Sequence, residues 1–540
     1  MALDPMPQNH FRSVLRKMAE TEPVTRSPRW QVLLLALMAA GVVAAFVPAL
    51  DVYFAGDDFD WLNAAFEVAR DPLSSFELIN TMWRPVVKWS FLVDFLVFGR
   101  NSIGYSATNL LIHIFNAWLL YLLISRLVDF RLLAAVAATG FALSPFHSEA
   151  VLWASSRGDT MLLTCWLGAL LILVAQSGDT RWFQSGAILI LVLIGAGSKE
   201  SWVVFPFIGT AFLVIVLKRP LRAALGQMRW LWLTLFLYIG VFNVLPTLSG
   251  APTSTIYADF SPSPALEKIC RLILTFCGLG ELGLDELSTI IFAGLVAVAA
   301  VTIAVRQGNR NAQWSIFWTA ATLALAAPFS DVALRHNYLP LAGFWMTLAF
   351  VIDGLLQKGD ATRGHRWRRT RLALLSSAAV AILMMEGLAL QREIDDYRRY
   401  GDLHRELAEM LVPIEPHIPR ERTLLFINRG ERRAVEEIAA SVAGVKKSFF
   451  VRRDAIWQMV FFLPLANFLG TPFVDSLLAV PEHQVSGSLG GDVTVLVFSD
   501  NGFRFGSEIP DGLVHFISVN GRLPETVGLY RYQSYRRSSE

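Results

Sequence analysis

Charge is what this sequence has least of. Of its 540 residues, 17% are Asp, Glu, Lys or Arg, where soluble globular chains carry about 25%. With 54% hydrophobic residues, that deficit excludes an ordinary soluble fold over most of the length and points to a polytopic membrane protein. Cysteine is scarce too, at 3. Cys165 lies inside an apolar run. Cys270 and Cys277, seven positions apart, would stand about 10 Å apart along one helix, too far for a disulfide. Residues 391–540 contain no cysteine, so their fold does not depend on disulfides. No basic run has the shape of a nucleic-acid patch, and a net charge of +2 gives no reason to expect a nucleic-acid partner. Repeats with a period of about 20–50 residues are absent. The first apolar run begins near Trp30, is long and lacks a small-residue cleavage site, so it reads as an anchor rather than a cleaved signal.

What is present is a series of apolar stretches. Runs of roughly 17–25 residues can span a bilayer as helices. Eleven stretches qualify: about 30–50, 105–124, 131–147, 160–176, 182–197, 202–217, 230–247, 287–305, 313–329, 338–356 and 371–390. The stretch 85–98 is apolar but holds Lys88 and Asp94, so it reads as an interfacial or re-entrant helix. Basic residues set the orientation. With the N-terminus inside, the inner loops hold twenty Lys and Arg and the outer loops before the tail hold nine, which favours a cytoplasmic N-terminus. An odd number of spans then puts residues 391–540 outside. The expected organisation is a cytoplasmic tail (1–29), a transmembrane catalytic domain (30–390, first outward loop about 51–104) and a soluble extracytoplasmic domain (391–540). In that last part Gln391–Met410 has a charged helical pattern, while Arg422–Asn428, Asp492–Asp500 and Val527–Tyr535 read as strands. An α/β or α+β domain is expected there. Trp457–Gly470 is too short for a span and contains Pro464.

The outward loops collect ionisable residues close to helix ends: Asp57, Asp58, Asp60, Arg84 and Lys88 in the first, and His147, Glu149, Arg157 and Asp159 in the second. Lys199 and Glu200 form a tight third turn, and Asp331, Arg335, His336 and Tyr338 mark the fifth loop. Ionisable groups near a membrane are costly, and they pair or mark a site. A carboxylate that takes a proton from a sugar hydroxyl, beside cations that take the charge of a leaving phosphate, suits glycosyl transfer from a lipid phosphate.

The motif FAGDDFDWL (Phe54–Leu62) resembles the acidic first-loop motif of the GT-C superfamily of polytopic glycosyltransferases. Gly99–Leu123, Leu143–Leu163, Ser198–Ser201 and Arg335–Phe344 are similar to the protein O-mannosyltransferase branch, including its TMTC type. The resemblance covers roughly residues 30–350. It implies an about eleven-helix GT-C-like fold. It implies an inverting transferase of the cell inner membrane that moves sugar from a polyprenyl-phosphate donor to a glycan, lipid or protein acceptor. It makes Asp57 or Asp58 the base, with Asp58 preferred and Asp60 as alternate partner. It assigns substrate binding to Arg84, Arg157, Asp159, Lys199, Glu200, Arg335, His336 and Tyr338. It leaves room for a divalent metal (Mg, Mn or Zn) at His147 and Glu149. The TMTC type continues into tetratricopeptide repeats, and this tail shows none.

Simpler roles stand beside these. The aspartates could cap the helix that starts near Trp61. Arg157 and Asp159 could form a loop salt bridge, Lys199 could snorkel to the interface, and the 16 tryptophans could form an interfacial belt. The run His365–Arg371 reads as a topology determinant in contact with anionic lipid. A flippase of lipid-linked saccharides and a non-catalytic saccharide-binding protein are the rival readings. Transporters put ionisable residues near mid-membrane, whereas the charges here gather at one rim.

Overall fold

The computed structural model describes residues 28–55, 57–79, 82–175, 181–244, 262–277, 279, 284–326, 334–360 and 365–414, with four strands beyond them. The described chain is mostly helical. The helices are α1 (Pro28–Phe46, prolonged by a 3₁₀ turn to Asp51), α2 (Asp58–Arg70), α3 (Pro85–Phe98), α4 (Ser102–Ser125), α5 (Arg131–Leu143), α6 (Arg157–Ala175), α7 (Arg181–Ala196) and α8 (Phe205–Ala211). They continue as α9 (Leu221–Gln227), α10 (Arg229–Ile239), α11 (Pro262–Phe276), α12 (Glu286–Gln307), α13 (Arg310–Ala326), α14 (Tyr338–Asp360) and α15 (His365–Ile414).

All eleven expected runs fall on helices, but fewer reach spanning length. Among the described residues, five segments are long and apolar enough to cross a membrane: Gln31–Asp51, Ser102–Ser125, Ala154–Ala175, Glu286–Gln307 and Leu334–Gln357. A sixth is Leu221–Gln227 with Arg229–Phe242, bent by 65°, if that pair counts as one. Arg131–Leu143, Phe183–Ala196 and Glu200–Val216 are shorter apolar helices. Proline falls at the ends of two of the short helices. Pro145 opens a separate 3₁₀ turn just after α5 ends at Leu143, and Pro206 sits in the first turn of α8, where its missing N–H costs nothing.

One apolar core runs through the bundle. Trp166, Trp202, Trp314 and Trp318 are fully buried in it and Trp61 is buried as well, so these rings are packing elements rather than an interfacial belt. Two of them tie helices together: the Trp318 indole donates to Leu339 O (2.8 Å) and Trp314 to Ile208 O (3.2 Å).

Expected loop sides separate in space. At one end the 126–131, 309–313 and 350–357 segments meet. Asp353 Oδ1 accepts from the Asp129 and Phe130 N–H groups at 3.1 and 3.2 Å, and Asn311 donates to Leu127 O at 2.8 Å. At the other end, Val86 N–H donates to Gly197 O (3.0 Å), which docks the α7–α8 turn on the start of α3. The stretch 85–98 is one helix in which Lys88 is buried and donates to Ser74 O and Glu77 O (2.9 and 3.0 Å), closing the first loop on itself.

The expected domain start at 391 falls inside a helix. That helix is α15, which runs unbroken for 50 residues from the last apolar run. Beyond it, β1 (Arg422–Asn428) pairs in parallel with β2 (Val474–Pro481) and with β3 (Val493–Ser499), and β3 pairs antiparallel with β4 (Gly502–Phe505). The expected strands at 422–428 and 492–500 are therefore present, whereas Val527–Tyr535, Trp457–Gly470 and Asp331 lie outside the described residues.

Candidate functional site

Asp57 and Asp58 share a loop but not an environment. Asp58 is 2% exposed. Its Oδ2 accepts from Ala55 N–H (3.0 Å) and its Oδ1 from Ser155 N–H (2.7 Å). Beside it, the Trp153 indole donates to Ala55 O at 2.8 Å. Asp58 thus ties the first loop to the second. Burial nonetheless raises its carboxyl to about 7, against the pull of the Ala55 and Ser155 N–H groups. Asp57 is half-buried and its side chain caps nothing. Burial raises its carboxyl, the Arg335 and then the Arg84 guanidinium lower it, and Glu149 raises it again. Asp60 lies in the first turn of α2, half-buried.

Arg335 and Arg84, from two distant loops, act on Asp57, and Lys199 from a third lies within electrostatic reach of both; each cation is held by its own carboxylate. Arg335 pairs with Glu149, which also accepts from the Arg335 backbone N–H at 3.2 Å. The Arg335 guanidinium lies 5.0 Å from the Trp153 ring. Lys199 pairs with Asp159. Arg84 forms a two-bond fork on Glu200, at 2.8 and 2.7 Å. Lys199 feels both arginines, and His336 feels all three cations, so the set is one electrostatic cluster. A close approach makes the Lys199–Asp159 pair possible. A Cβ at Gly158 would meet Ser198 O at 2.6 Å, so a larger residue would push α6 away from the Lys199 turn.

Some pairings differ from the expected ones. Arg157 and Asp159 do not bridge each other. Two positions apart at a helix start, they face different sides. Arg157 pairs with Asp94 of α3 at 2.5 Å and donates to Asn109 at 2.7 Å, so it braces α3, α4 and α6 from below. Lys199 does not snorkel; it is buried in its ion pair. Tyr338 is buried, and its hydroxyl meets His113 Nδ1 at 2.8 Å. Asn116 donates to the same hydroxyl at 3.1 Å. His113, Asn116, Asn109 and Asp94 are polar groups that the motif reading missed. Asn109, His113 and Asn116 stand four and three apart on one face of an apolar helix, and that spacing was a usable signal.

The donors at His147 and Glu149 fit a divalent ion poorly. His147 Nε2 is engaged by Phe141 O at 2.6 Å, and both Glu149 oxygens are held by Arg335. Among the described residues no group of three or more His, Cys, Asp or Glu converges.

Helices long enough to span, with charged residues collected at one end, define a multi-pass membrane protein. No family model matches the chain. Two Drosophila melanogaster proteins are similar to part of it. Protein O-mannosyl-transferase Tmtc1 is 29% identical over 119 residues, 22% of this chain and 14% of that protein. Protein O-mannosyl-transferase Tmtc2 is 33% identical over 153 residues, 27% of this chain and 16% of that protein. The match thus spans less than a fifth of either relative. The resemblance to the TMTC type read from the motifs is met by these relatives. Among solved structures, ArnT from Cupriavidus metallidurans bound to undecaprenyl phosphate overlays with a TM-score of 0.47 at 13% identity, over 75% of this chain and 83% of that one. The Archaeoglobus fulgidus oligosaccharyltransferase tethered to an acceptor peptide overlays with a TM-score of 0.44 at 13% identity, over 84% and 70%.

Proposed function

We propose that this chain is a GT-C-type glycosyltransferase of the cell inner membrane that moves a sugar from a polyprenyl-phosphate donor to a glycan, lipid or protein acceptor at the extracytoplasmic face. The observation that supports the reading is that Arg335 and Arg84 act on the half-buried Asp57 carboxyl, with the Lys199–Asp159 pair within electrostatic reach of both arginines. Asp57 acts as the base. The acceptor oxygen bonds to the anomeric carbon as its proton passes to Asp57, while the bond from that carbon to the phosphate oxygen breaks. This single displacement inverts the anomeric centre. The electron pair leaves on the polyprenyl phosphate, whose charge falls to Arg335 and Lys199. The Arg335 contact to the Glu149 side chain uses only Nη1, and a guanidinium has five N–H groups, so donors remain for phosphate. Glu149, Asp159 and Glu200 hold the cations in place, and Asp58 holds the loop. Residues beyond α15, with their parallel strand pairs, would form an extracytoplasmic α/β domain that roofs the site or holds the acceptor.

The test is transfer from labelled polyprenyl-phosphate mannose by the purified protein. Asp57→Asn is expected to lower kcat by about 10²–10⁴, the range for losing a general base, with donor binding kept. Full activity in Asp57→Asn would remove this mechanism.

A further inference from the structure

A set of aromatic rings closes a circuit around the Arg84–Glu200 pair. Trp83 precedes Arg84 in the chain and lies 5.3 Å from Phe242. Phe242 lies 4.8 Å from Tyr238, and Tyr238 stands edge-on to Trp202 at 5.4 Å. Trp202 follows Glu200 by two positions, which returns the circuit to the ion pair. Tyr238 is in turn within electrostatic reach of Glu200 and Arg84. On its far side Arg84 lies 6.0 Å from the Trp61 ring of α2 and feels Asp57. The rings therefore border the proposed reaction centre and belong to α10 with its continuation, the α7–α8 connection and the end of the first loop.

One atom in this circuit is unexplained. Trp202 is 1% exposed, yet its indole N–H has no hydrogen-bond partner. Buried polar groups are satisfied as a rule, and a lone buried donor on a ring packed against Tyr238, two positions after Glu200, points to a ligand that brings an acceptor. The C–H faces of a pyranose stack on aromatic rings while its hydroxyls need such donors and acceptors. A hydrocarbon tail would use the rings and leave the N–H and the fork unserved.

We infer that Trp83, Trp202, Tyr238 and Phe242, with the Arg84–Glu200 fork, form a saccharide-binding subsite that seats one pyranose ring next to Asp57. The inference rests on the proposed transferase reading for the source of that sugar, which is either the lipid-linked donor or the acceptor glycan. Binding, rather than turnover, separates the two claims.

The experiment uses the full chain in nanodiscs in the Asp57→Asn background, with tryptophan fluorescence following three probes: polyprenyl-phosphate mannose, bare polyprenyl phosphate and methyl mannoside. Trp202→Phe keeps the ring and deletes the N–H, and Trp83→Ala removes a half-buried rim ring as a second variant. Both are expected to weaken a saccharide probe about tenfold, or 1.4 kcal/mol, while bare polyprenyl phosphate binds within about twofold of the parent, a shift well under that. Loss on the lipid-linked sugar assigns the donor's ring, and loss on methyl mannoside alone assigns the acceptor's. Saccharide binding that is absent in the parent, or unchanged in both variants, overturns the subsite. Equal weakening of bare polyprenyl phosphate also overturns it, since that marks a hydrocarbon groove. If the Asp57→Asn parent binds sugar while the unsubstituted chain never transfers it, the transferase reading falls and the subsite stands.

Discussion

At the scale of single residues, the proposed mechanism makes Asp57 the base and Asp58 the anchor of the loop. Asp58→Asn keeps one acceptor for two backbone donors, so either Ala55 or Ser155 N–H loses its partner. A buried donor left this way costs about 1–3 kcal/mol, so lower thermal stability in detergent is expected, with transfer retained. The folded state holds the Asp58 proton up to about 7 against an ordinary 3.8. It therefore binds more protons than the unfolded chain between those values, and stability falls as pH rises through that window. Asp58→Asn should flatten that slope in unfolding measured from pH 4 to pH 8, a range set by those two values. An unchanged slope would mean another group carries it.

Asp57 gives a different pH signature. A base works ionised, so kcat/KM should rise with pH through its titration. Arg84 lowers that carboxyl and Glu149 raises it. Arg84→Gln is therefore expected to move the acid limb to higher pH, and Glu149→Gln to move it lower. Shifts in the same direction, or none, would assign the limb to another group. The sequence reading names both aspartates and prefers Asp58 as base, whereas the proposed mechanism gives that role to Asp57. What separates them is a backbone N–H from Ser155, 97 positions away, and no local pattern encodes that partner.

At the scale of elements, α15 is the least expected feature. Hydropathy drops sharply after residue 390, which looks like a boundary, and Gly387 and Gly401 look like breakers. The helix continues because its next turns find partners on the end of α1 and on the first loop. Gln391 donates to Ala45 O at 2.8 Å, Arg405 donates to Asp51 O at 2.8 Å, and the Arg405 guanidinium lies 5.5 Å from the Tyr53 ring. Gly401 is where the two segments come closest: a Cβ there would meet Tyr53 N at 2.8 Å and Tyr53 O at 3.1 Å. Four residues further along is Asp57, so α15 acts as a splint for the loop that carries the proposed base. Gly401→Val would push Tyr53 outward and misplace Asp57. The expected result is a fall in kcat of at least tenfold, given the sensitivity of reaction geometry to about 1 Å, with the KM for donor little changed. A rise in KM alone would put α15 against the donor instead. Hydropathy did reveal the helices themselves, because an apolar run forms a helix in a bilayer whatever its neighbours. It could not reveal which runs are cut short, since the turns at Pro145 and Pro206 depend on the packed bundle.

At the scale of the whole molecule, the question is which end faces outward. Loops assigned to opposite sides by charge count separate in the fold, with the Asp353 contacts at one end and the Asp57 cluster at the other. The fold alone leaves the direction of the molecule free; the excess of Lys and Arg on the Asp353 side supplies it. A polyprenyl-phosphate donor presented outside requires the Asp57 end to face outward. Leu73, 73% exposed on the first loop, and Arg310, exposed at the start of α13, are suitable reporters. In a cysteine-free background, Leu73→Cys should react with a membrane-impermeant maleimide on intact cells, and Arg310→Cys only after permeabilisation. The charge argument makes the difference all-or-none, because a single inversion of the bundle exchanges the two labels. If Arg310→Cys reacts on intact cells and Leu73→Cys does not, Asp57 faces the cytoplasm, and the donor would have to be a sugar carrier present on that side.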